Sequence, residues 1–126
     1  MSDHESQRLT LTHSALAAIN EIERFSVESW GRKVAGRYLD DLEAGLLRIR
    51  EEPDLLRSHP EFHPDFCFYR VNKHLFVCDR QSDVIVVLAI IHAAQDIPAR
   101  LAELEPTLTR EVEMLHTKLQ KPRPKK

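Results

Sequence analysis

The strongest structural signal in this sequence lies in residues 84–101, which read Val84-Ile85-Val86-Val87-Leu88-Ala89-Ile90-Ile91-His92-Ala93-Ala94-Gln95-Asp96-Ile97-Pro98-Ala99-Arg100-Leu101. The first eight residues are apolar, and many are β-branched, which suits a pleated strand. Because a strand points successive side chains to opposite faces, this run predicts a strand buried on both sides. His92 follows where the strand leaves the core. Asp96 can then cap a helix whose first turn accommodates Pro98.

The bulk composition is that of one ordinary domain. The chain has 126 residues, 42% of them hydrophobic and 30% charged, which allows a single core. A net charge of −2 gives the whole molecule no attraction for nucleic acid. The polar N-terminus has no signal-peptide core, and no apolar run is long enough to span a membrane. We therefore expect a cytoplasmic protein with reduced cysteines, no membrane partner, no metal and no cofactor.

The first half of the sequence predicts a short strand followed by a helical hairpin. Residues 8–12 alternate polar and apolar side chains, and Thr12 or Ser14 can cap the helix that follows. Two helical stripes are separated by a break at residues 29–31. They contain Ala15, Ile19, Ile22 and Phe25, and then Val34, Tyr38, Leu42, Leu46 and Ile49. We expect Trp30 to pack at the hairpin turn and to serve the core, as large aromatic side chains usually do, and Tyr38 to lie in the core.

The second half predicts a loop and a three-stranded meander. The loop covers residues 54–65, and the strands lie near residues 66–71, 74–79 and 84–91. Asn72 and Lys73 fit a two-residue turn, which places Val71 opposite His74 and Cys67 opposite Cys78. We expect two reduced, partly buried thiols at that pair, and a redox role is the alternative.

A further helix is predicted from Glu105-Pro106 onward. Its apolar stripe consists of Leu108, Val112, Leu115 and Leu119. Because an isolated helix of this length is marginal in water, the stripe should pack on the domain, on a second copy or on a partner. The sequence thus divides into a domain at 8–102, a helical extension at 103–120 and a disordered basic tail at 121–126.

The order and spacing of these landmarks resemble the ParE/RelE toxin superfamily, and within it the ParE branch. The landmarks are Leu11-Thr12-x-x-Ala15, Trp30-Gly31, Ala35-x-x-Tyr38-Leu39-x-x-Leu42, Glu52-Pro53, Val71-Asn72-Lys73-His74, and the buried strand that ends at His92 before Asp96-Ile97-Pro98. The resemblance covers about residues 9–102. It implies an α+β fold with β-α-α-β-β-β order, in which the helical hairpin packs on an antiparallel sheet. The extra C-terminal helix, from about residue 103, exceeds the usual length of the family.

The resemblance also implies a function. It points to the toxin of a type II toxin–antitoxin system, held inactive by a cognate, ParD-like antitoxin. In the ParE branch the implied target is DNA gyrase, inhibited without enzymatic chemistry. In the RelE branch it is messenger RNA on the ribosome, cleaved without a metal. A homodimer and a heterotetramer with the antitoxin are both open alternatives.

Three positions depart from the family pattern. Cys67 stands where many members carry an arginine, Val77-Cys78-Asp79 stands where many carry Phe-Tyr-Arg, and Ala18 replaces an acidic residue. These departures add a third alternative, a diverged interaction module without toxicity.

The candidate functional residues lie mainly at the ends of the predicted strands. Metal-free RNA cleavage needs a base, an acid and a cation for the phosphate. Lys73, Arg80 and His92 are the candidate catalytic set, but the lack of a dense basic cluster favours the non-enzymatic alternative. The expected surface for target or antitoxin adds His74, Asp96 and Arg100. Two of these residues also have purely structural interpretations. His92 can be an anchor that is hydrogen-bonded to the backbone, and Asp96 can be a helix cap.

Overall fold

A computed structural model describes residues 8–120 of the backbone, and side chains as far as Met114. The strands are β1 (Arg8–Leu11), β2 (Arg57–Ser58), β3 (Cys67–Val71), β4 (His74–Arg80) and β5 (Val84–His92). The helices are α1 (His13–Glu51) and α2 (Ile97–Gln120), with a short 3-10 turn at Pro53–Leu55. Within residues 8–120, neither helix has the length and apolar character that a membrane span needs.

Helix α1 consists of two arms joined at a break. Gly31 has a φ of 87°, a conformation that costs glycine little because it has no Cβ. Its position confirms the predicted break at residues 29–31. Thr12 caps the first arm, since its hydroxyl oxygen accepts a hydrogen bond from the Ala15 N–H (3.0 Å) and donates one to the Leu88 carbonyl (2.8 Å). The cap therefore also ties α1 to β5.

The five strands form one mixed sheet in the order β1-β5-β4-β3-β2. Three of the four pairings are antiparallel, but β1 pairs with β5 in parallel, from Arg8 opposite Val84 to Leu11 opposite Val87. The prediction of an entirely antiparallel sheet is therefore wrong. The chain between β1 and β5 is long enough for the crossover that parallel pairing requires, and a four-residue pattern carries no information about strand direction.

Strand β2 lies inside the predicted loop at residues 54–65. It pairs Arg57 with Phe68 and Ser58 with Cys67, so the loop prediction is wrong at those residues. Two residues are too few to show the alternation by which strands are recognised.

The β3–β4 hairpin has the predicted turn and register. Asn72 has a φ of 54°, Val71 faces His74, and Cys67 faces Cys78. Both thiols are free, as expected, with Cys78 fully buried and Cys67 partly so. Burial raises the pKa of both thiols, which keeps them protonated and disfavours the redox alternative.

Strand β5 is buried on both sides, which confirms the prediction from its sequence. All eight residues from Val84 to Ile91 are buried. Ile85, Val87 and Ile90 belong to a core cluster with residues of α1. The second cluster lies on the other face and joins β5 to α2 through Val86, Leu88, Ala89, Ile91, Leu101 and Leu108.

Helix α2 begins earlier than the predicted final helix and runs through Pro106 without a break. The predicted start at Glu105-Pro106 is wrong, because the apolar stripe of α2 packs on the second face of the sheet and outweighs the hydrogen bond lost at proline. Leu108 is fully buried and Val112 partly so, so this half of the stripe packs on the domain. The side chains of Leu115 and Leu119 lie outside the described part.

The predicted division at residues 102 and 103 falls within α2 and stays a prediction. The predicted disordered tail at residues 121–126 lies outside the described residues.

Gly45 lies where α1 approaches the sheet closely. A Cβ at this position would lie 2.5 Å from Val71 Cγ2, whereas a Cβ at Gly36 would meet nothing within 4 Å. We expect Gly45→Ala to lower the free energy of unfolding by about 1–3 kcal/mol through overpacking. Gly36→Ala, the matched control in the same helix, should raise it by about 0.5–1 kcal/mol. Urea denaturation measures both, and equal effects at the two sites would contradict the packing.

Leu108 tests whether α2 belongs to the core. It is 0% exposed, so Leu108→Ala should lower the free energy of unfolding by about 2–5 kcal/mol through lost burial and a cavity. Met114, in the same helix, is 63% exposed, and Met114→Ala should change stability by less than about 0.5 kcal/mol. Equal stability of Leu108→Ala and the wild type in urea denaturation would contradict the packing of α2 on the sheet through Leu108.

Candidate functional site

An open groove of about 570 Å³ lies between one end of the sheet and the tip of the helical hairpin, where the two arms of α1 meet at Gly31. At this end β4 begins and β5 stops, so their terminal residues face the two arms of α1. The lining residues are Glu21, Ile22, Phe25, Ser26, Trp30, Val34, Tyr38, Lys73, His74 and His92. The groove therefore combines an apolar wall from α1 with a polar end from the sheet. We call it the hairpin-tip groove.

The apolar wall consists of large side chains that the core does not absorb. Phe25, Trp30 and Val34 are 60%, 50% and 43% exposed. The rings of Phe25 and Trp30 meet edge to face, with centroids 5.8 Å apart, a favourable arrangement for aromatic pairs. Trp30 does lie at the hairpin turn, but the expectation that it serves the core is wrong. An aromatic residue beside a helix break has the same sequence pattern in a core and on a surface.

The polar end is organised around Tyr38 and His74. The Tyr38 hydroxyl and His74 Nδ1 are 2.5 Å apart, and the Lys73 backbone N–H donates to the same hydroxyl oxygen (3.4 Å). His74 also faces His92 across the β4–β5 pair, with ring centroids 5.2 Å apart. Tyr38 is partly buried against the core, as its place in the helical stripe predicts, and its hydroxyl reaches the groove.

Tyr38 and His74 form a pair in which both side chains are uncharged at neutral pH. Burial, and secondarily the neighbouring His92, lower the pKa of His74 to about 4. Burial raises the pKa of Tyr38. At neutral pH the phenol therefore keeps its proton and the imidazole is uncharged, and the two side chains share one hydrogen bond. The pair ties the second arm of α1 to β4 and adds no positive charge to the groove.

Lys73 and His92 are exposed polar residues at this end. His92 Nδ1 accepts a hydrogen bond from the Ala94 N–H (3.1 Å), which agrees with an anchoring role, and its ring also lines the groove. The Lys73 carbonyl accepts from the Ala93 N–H (2.8 Å), so the turn and the end of β5 are joined. No ion pair of Lys73 is present among the described residues.

Arg80 lies at the opposite end of β4. A strand of seven residues separates its ends by roughly 20 Å. Arg80 pairs with Asp54 (3.1 Å) and donates to the Pro53 carbonyl (3.3 Å), which fastens the 3-10 turn to the sheet. The structure thus brings Lys73 and His92 together but leaves Arg80, the third member of the candidate catalytic set, far away.

Asp96 and Arg100 lie at the start of α2 and do not line the hairpin-tip groove. Asp96 Oδ1 accepts from the Ala99 N–H (3.2 Å), which is the capping role considered for it. Arg100 pairs with Glu103 (3.0 Å). Three of the six predicted surface residues, Lys73, His74 and His92, therefore lie in the groove. Phe25 and Val34 were missed as site residues, because the sequence places them in stripes that also contain core residues.

The second face of the sheet is occupied by Phe68, Val77, Val86 and Leu88, all of them buried, and α2 packs over them. Among the described residues no group of three or more histidine, cysteine or acidic side chains could hold a metal ion.

The chain is similar to known proteins over most of its described length. Residues 9–97 match the family model "ParE toxin of type II toxin-antitoxin system, parDE". Toxin ParE of Escherichia coli is 30% identical over 94 residues, which cover 74% of this chain and 91% of that protein.

Two solved structures share the fold. The chromosomal ParDE toxin–antitoxin system from P. aeruginosa matches with a TM-score of 0.62 at 16% identity, over 71% of this chain and 98% of that chain. The toxin–antitoxin complex RelBE2 from Mycobacterium tuberculosis matches with a TM-score of 0.55 at 12% identity, over 75% and 100%.

The lowered pKa of His74 predicts a pH dependence of stability. The unfolded chain protonates His74 near pH 6.5 and the folded chain only near pH 4, so the unfolded state binds more protons between these values. The free energy of unfolding should therefore fall as the pH drops from 6.5 towards 4, with no contribution from His74 to the slope above that window.

Denaturation of the wild type and His74→Gln across pH 4–7 measures this contribution. The variant should show a flatter profile, whereas Tyr38→Phe should keep most of the slope because burial is the larger cause of the shift. Equal slopes for the wild type and His74→Gln would contradict the assignment, as would an imidazole pKa near 6.5 for His74 in NMR.

Proposed function

This chain belongs to the ParE toxin family of type II toxin–antitoxin systems, as its landmarks predicted, and we propose that it inhibits DNA gyrase by binding rather than by catalysis. The observation that carries the proposal is the composition of the hairpin-tip groove. Exposed Phe25, Trp30 and Val34 dominate its wall, and such aromatic and aliphatic surfaces are typical of sites that bind proteins.

The placement of the polar residues supports a binding function. Cleavage of RNA without a metal needs a base, an acid and a cation around one phosphate. Arg80 lies at the far end of β4 from Lys73 and His92. His74 is neutral and its Nδ1 is engaged by Tyr38. The groove is thus better equipped to hold a protein surface than to polarise a phosphodiester.

The proposal includes neutralisation by a cognate, ParD-like antitoxin. The structures of similar fold include a ParDE system and a RelBE2 toxin–antitoxin complex. We place the toxin, its antitoxin and its target in the cytoplasm, and we expect growth arrest when the toxin is expressed without its antitoxin.

A ribosome-dependent messenger RNA endonuclease is the second candidate. The observation that favours it is the joint position of Lys73 and His92 beside one groove. In that case Lys73 would stabilise the phosphate, and His92 would transfer a proton. Cleavage would then depend on both side chains.

The family departures do not alter the groove. Cys78 is fully buried and Cys67 packs against the same core cluster beneath α1. Neither cysteine lines the hairpin-tip groove. The two cysteines pack between α1 and the sheet, and Val77 packs on the α2 side. Their positions outside the groove favour a retained binding activity over a diverged module without toxicity.

Supercoiling of relaxed plasmid by purified gyrase tests the proposed target. The wild-type protein should inhibit supercoiling at micromolar concentration, and Arg80→Ala should inhibit equally because Arg80 lies outside the groove. Messenger RNA on translating ribosomes, incubated with the same preparations, should stay intact. Unimpaired supercoiling together with message cleavage that His92→Ala abolishes would replace this proposal with the endonuclease.

A further inference from the structure

Three exposed apolar side chains gather on one side of the hairpin-tip groove. Phe25 and Trp30 belong to the first arm of α1 and touch each other, and Val34 belongs to the second. Other exposed large apolar residues, Leu16, Leu47 and Met114, are not part of this groove. Single exposed apolar residues are ordinary, whereas a contiguous group marks a binding surface.

Helices α1 and α2 both pack on the sheet. The buried side of α1 packs on one face of the sheet, and α2 packs on the other through Leu101 and Leu108. Within the part of the chain whose side chains are described, the groove remains open. A partner can therefore reach it without displacing either helix.

The polar end of the groove carries the positive charge of Lys73. Glu21, which also lines the groove, is paired with Arg24 (3.1 Å). Burial, and secondarily His92, keep His74 uncharged beside Tyr38. The Lys73 ammonium has no carboxylate partner among the described side chains, and His92 is exposed beside it. An acidic group on a partner would pair with the Lys73 ammonium at this end.

From these features we propose that the hairpin-tip groove is the surface that engages the target enzyme, DNA gyrase. The matching segment of gyrase carries an apolar side chain, which packs against Phe25, Trp30 and Val34, and a carboxylate, which pairs with Lys73. Trp30 is the central contact, since tryptophan is enriched among the residues that dominate binding energy. This inference rests on the proposed function and adds to it the location and chemistry of the contact.

Single substitutions in the supercoiling assay test the surface. Trp30→Ala should raise the concentration for half-maximal inhibition by about tenfold or more. Lys73→Glu should raise it by about tenfold, because it replaces an attraction with a repulsion. Leu16 and Leu47 are 49% and 45% exposed, which matches Trp30 closely. Their alanine variants should stay within about twofold of the wild type, since neither residue lines the groove.

Folding and antitoxin binding serve as independent readouts. Trp30 is half exposed and outside both core clusters, so Trp30→Ala should keep the wild-type circular dichroism spectrum and midpoint of thermal unfolding. If Trp30→Ala unfolds, Lys73→Glu, which lies in an exposed turn, tests the binding surface instead. Binding to the antitoxin encoded beside the gene, measured by calorimetry, shows whether the groove is used by that partner as well.

The outcomes separate this inference from the proposed function. Loss of inhibition in the folded groove variants, with active Leu16 and Leu47 controls, supports the surface. Full inhibition by Trp30→Ala and Lys73→Glu overturns the surface but leaves gyrase as the target. If these variants lose only antitoxin binding, the groove belongs to the antitoxin and the inference is wrong. A wild-type protein that leaves gyrase active overturns the proposed function itself.

Discussion

The burial of β5 on both faces is the constraint on which the rest of the structure depends. Val84–Ile91 are all buried, and each large aliphatic side chain among them gains about 1.5–3 kcal/mol only if it is removed from water. One helical layer cannot cover two faces. The arms of α1 therefore pack on one side and α2 on the other. This second requirement explains why α2 continues through Pro106, since ending there would uncover the sheet beneath Leu108.

The same constraint limits where function can reside. With both faces of the central strand covered, partner-binding groups are left to the ends of the sheet and the tip of α1. The strand ends divide the polar residues, with Lys73 and His92 at one end and Arg80 paired to Asp54 at the other. The first end adjoins the exposed aromatic side chains Phe25 and Trp30. A groove with one cation and a hydrophobic wall is suited to protein recognition.

Local patterns predicted the features that depend on local chemistry. The double burial of β5, the turn at Asn72 and the break at Gly31 each follow from residue type and spacing. The parallel pairing of β1, the continuity of α2 through Pro106 and the exposure of Trp30 do not. Each depends on which part of the chain, distant in sequence, packs against that residue or element. Three of the six predicted surface residues lie in the groove, because Lys73, His74 and His92 stand at the ends of predicted strands. Phe25 and Val34 were missed, because they have the same spacing as core residues.

Hydroxyl-radical footprinting of this protein bound to gyrase tests the central claim, that the toxin binds its target through the hairpin-tip groove, most directly. Trp30 and Phe25 are exposed in the free chain, and Met114, 63% exposed on α2, is an internal reference outside the groove. The account predicts that complex formation protects Trp30 and Phe25 from oxidation while Met114 reacts at the rate of the free protein. Equal oxidation of Trp30 in the free and bound states would contradict it.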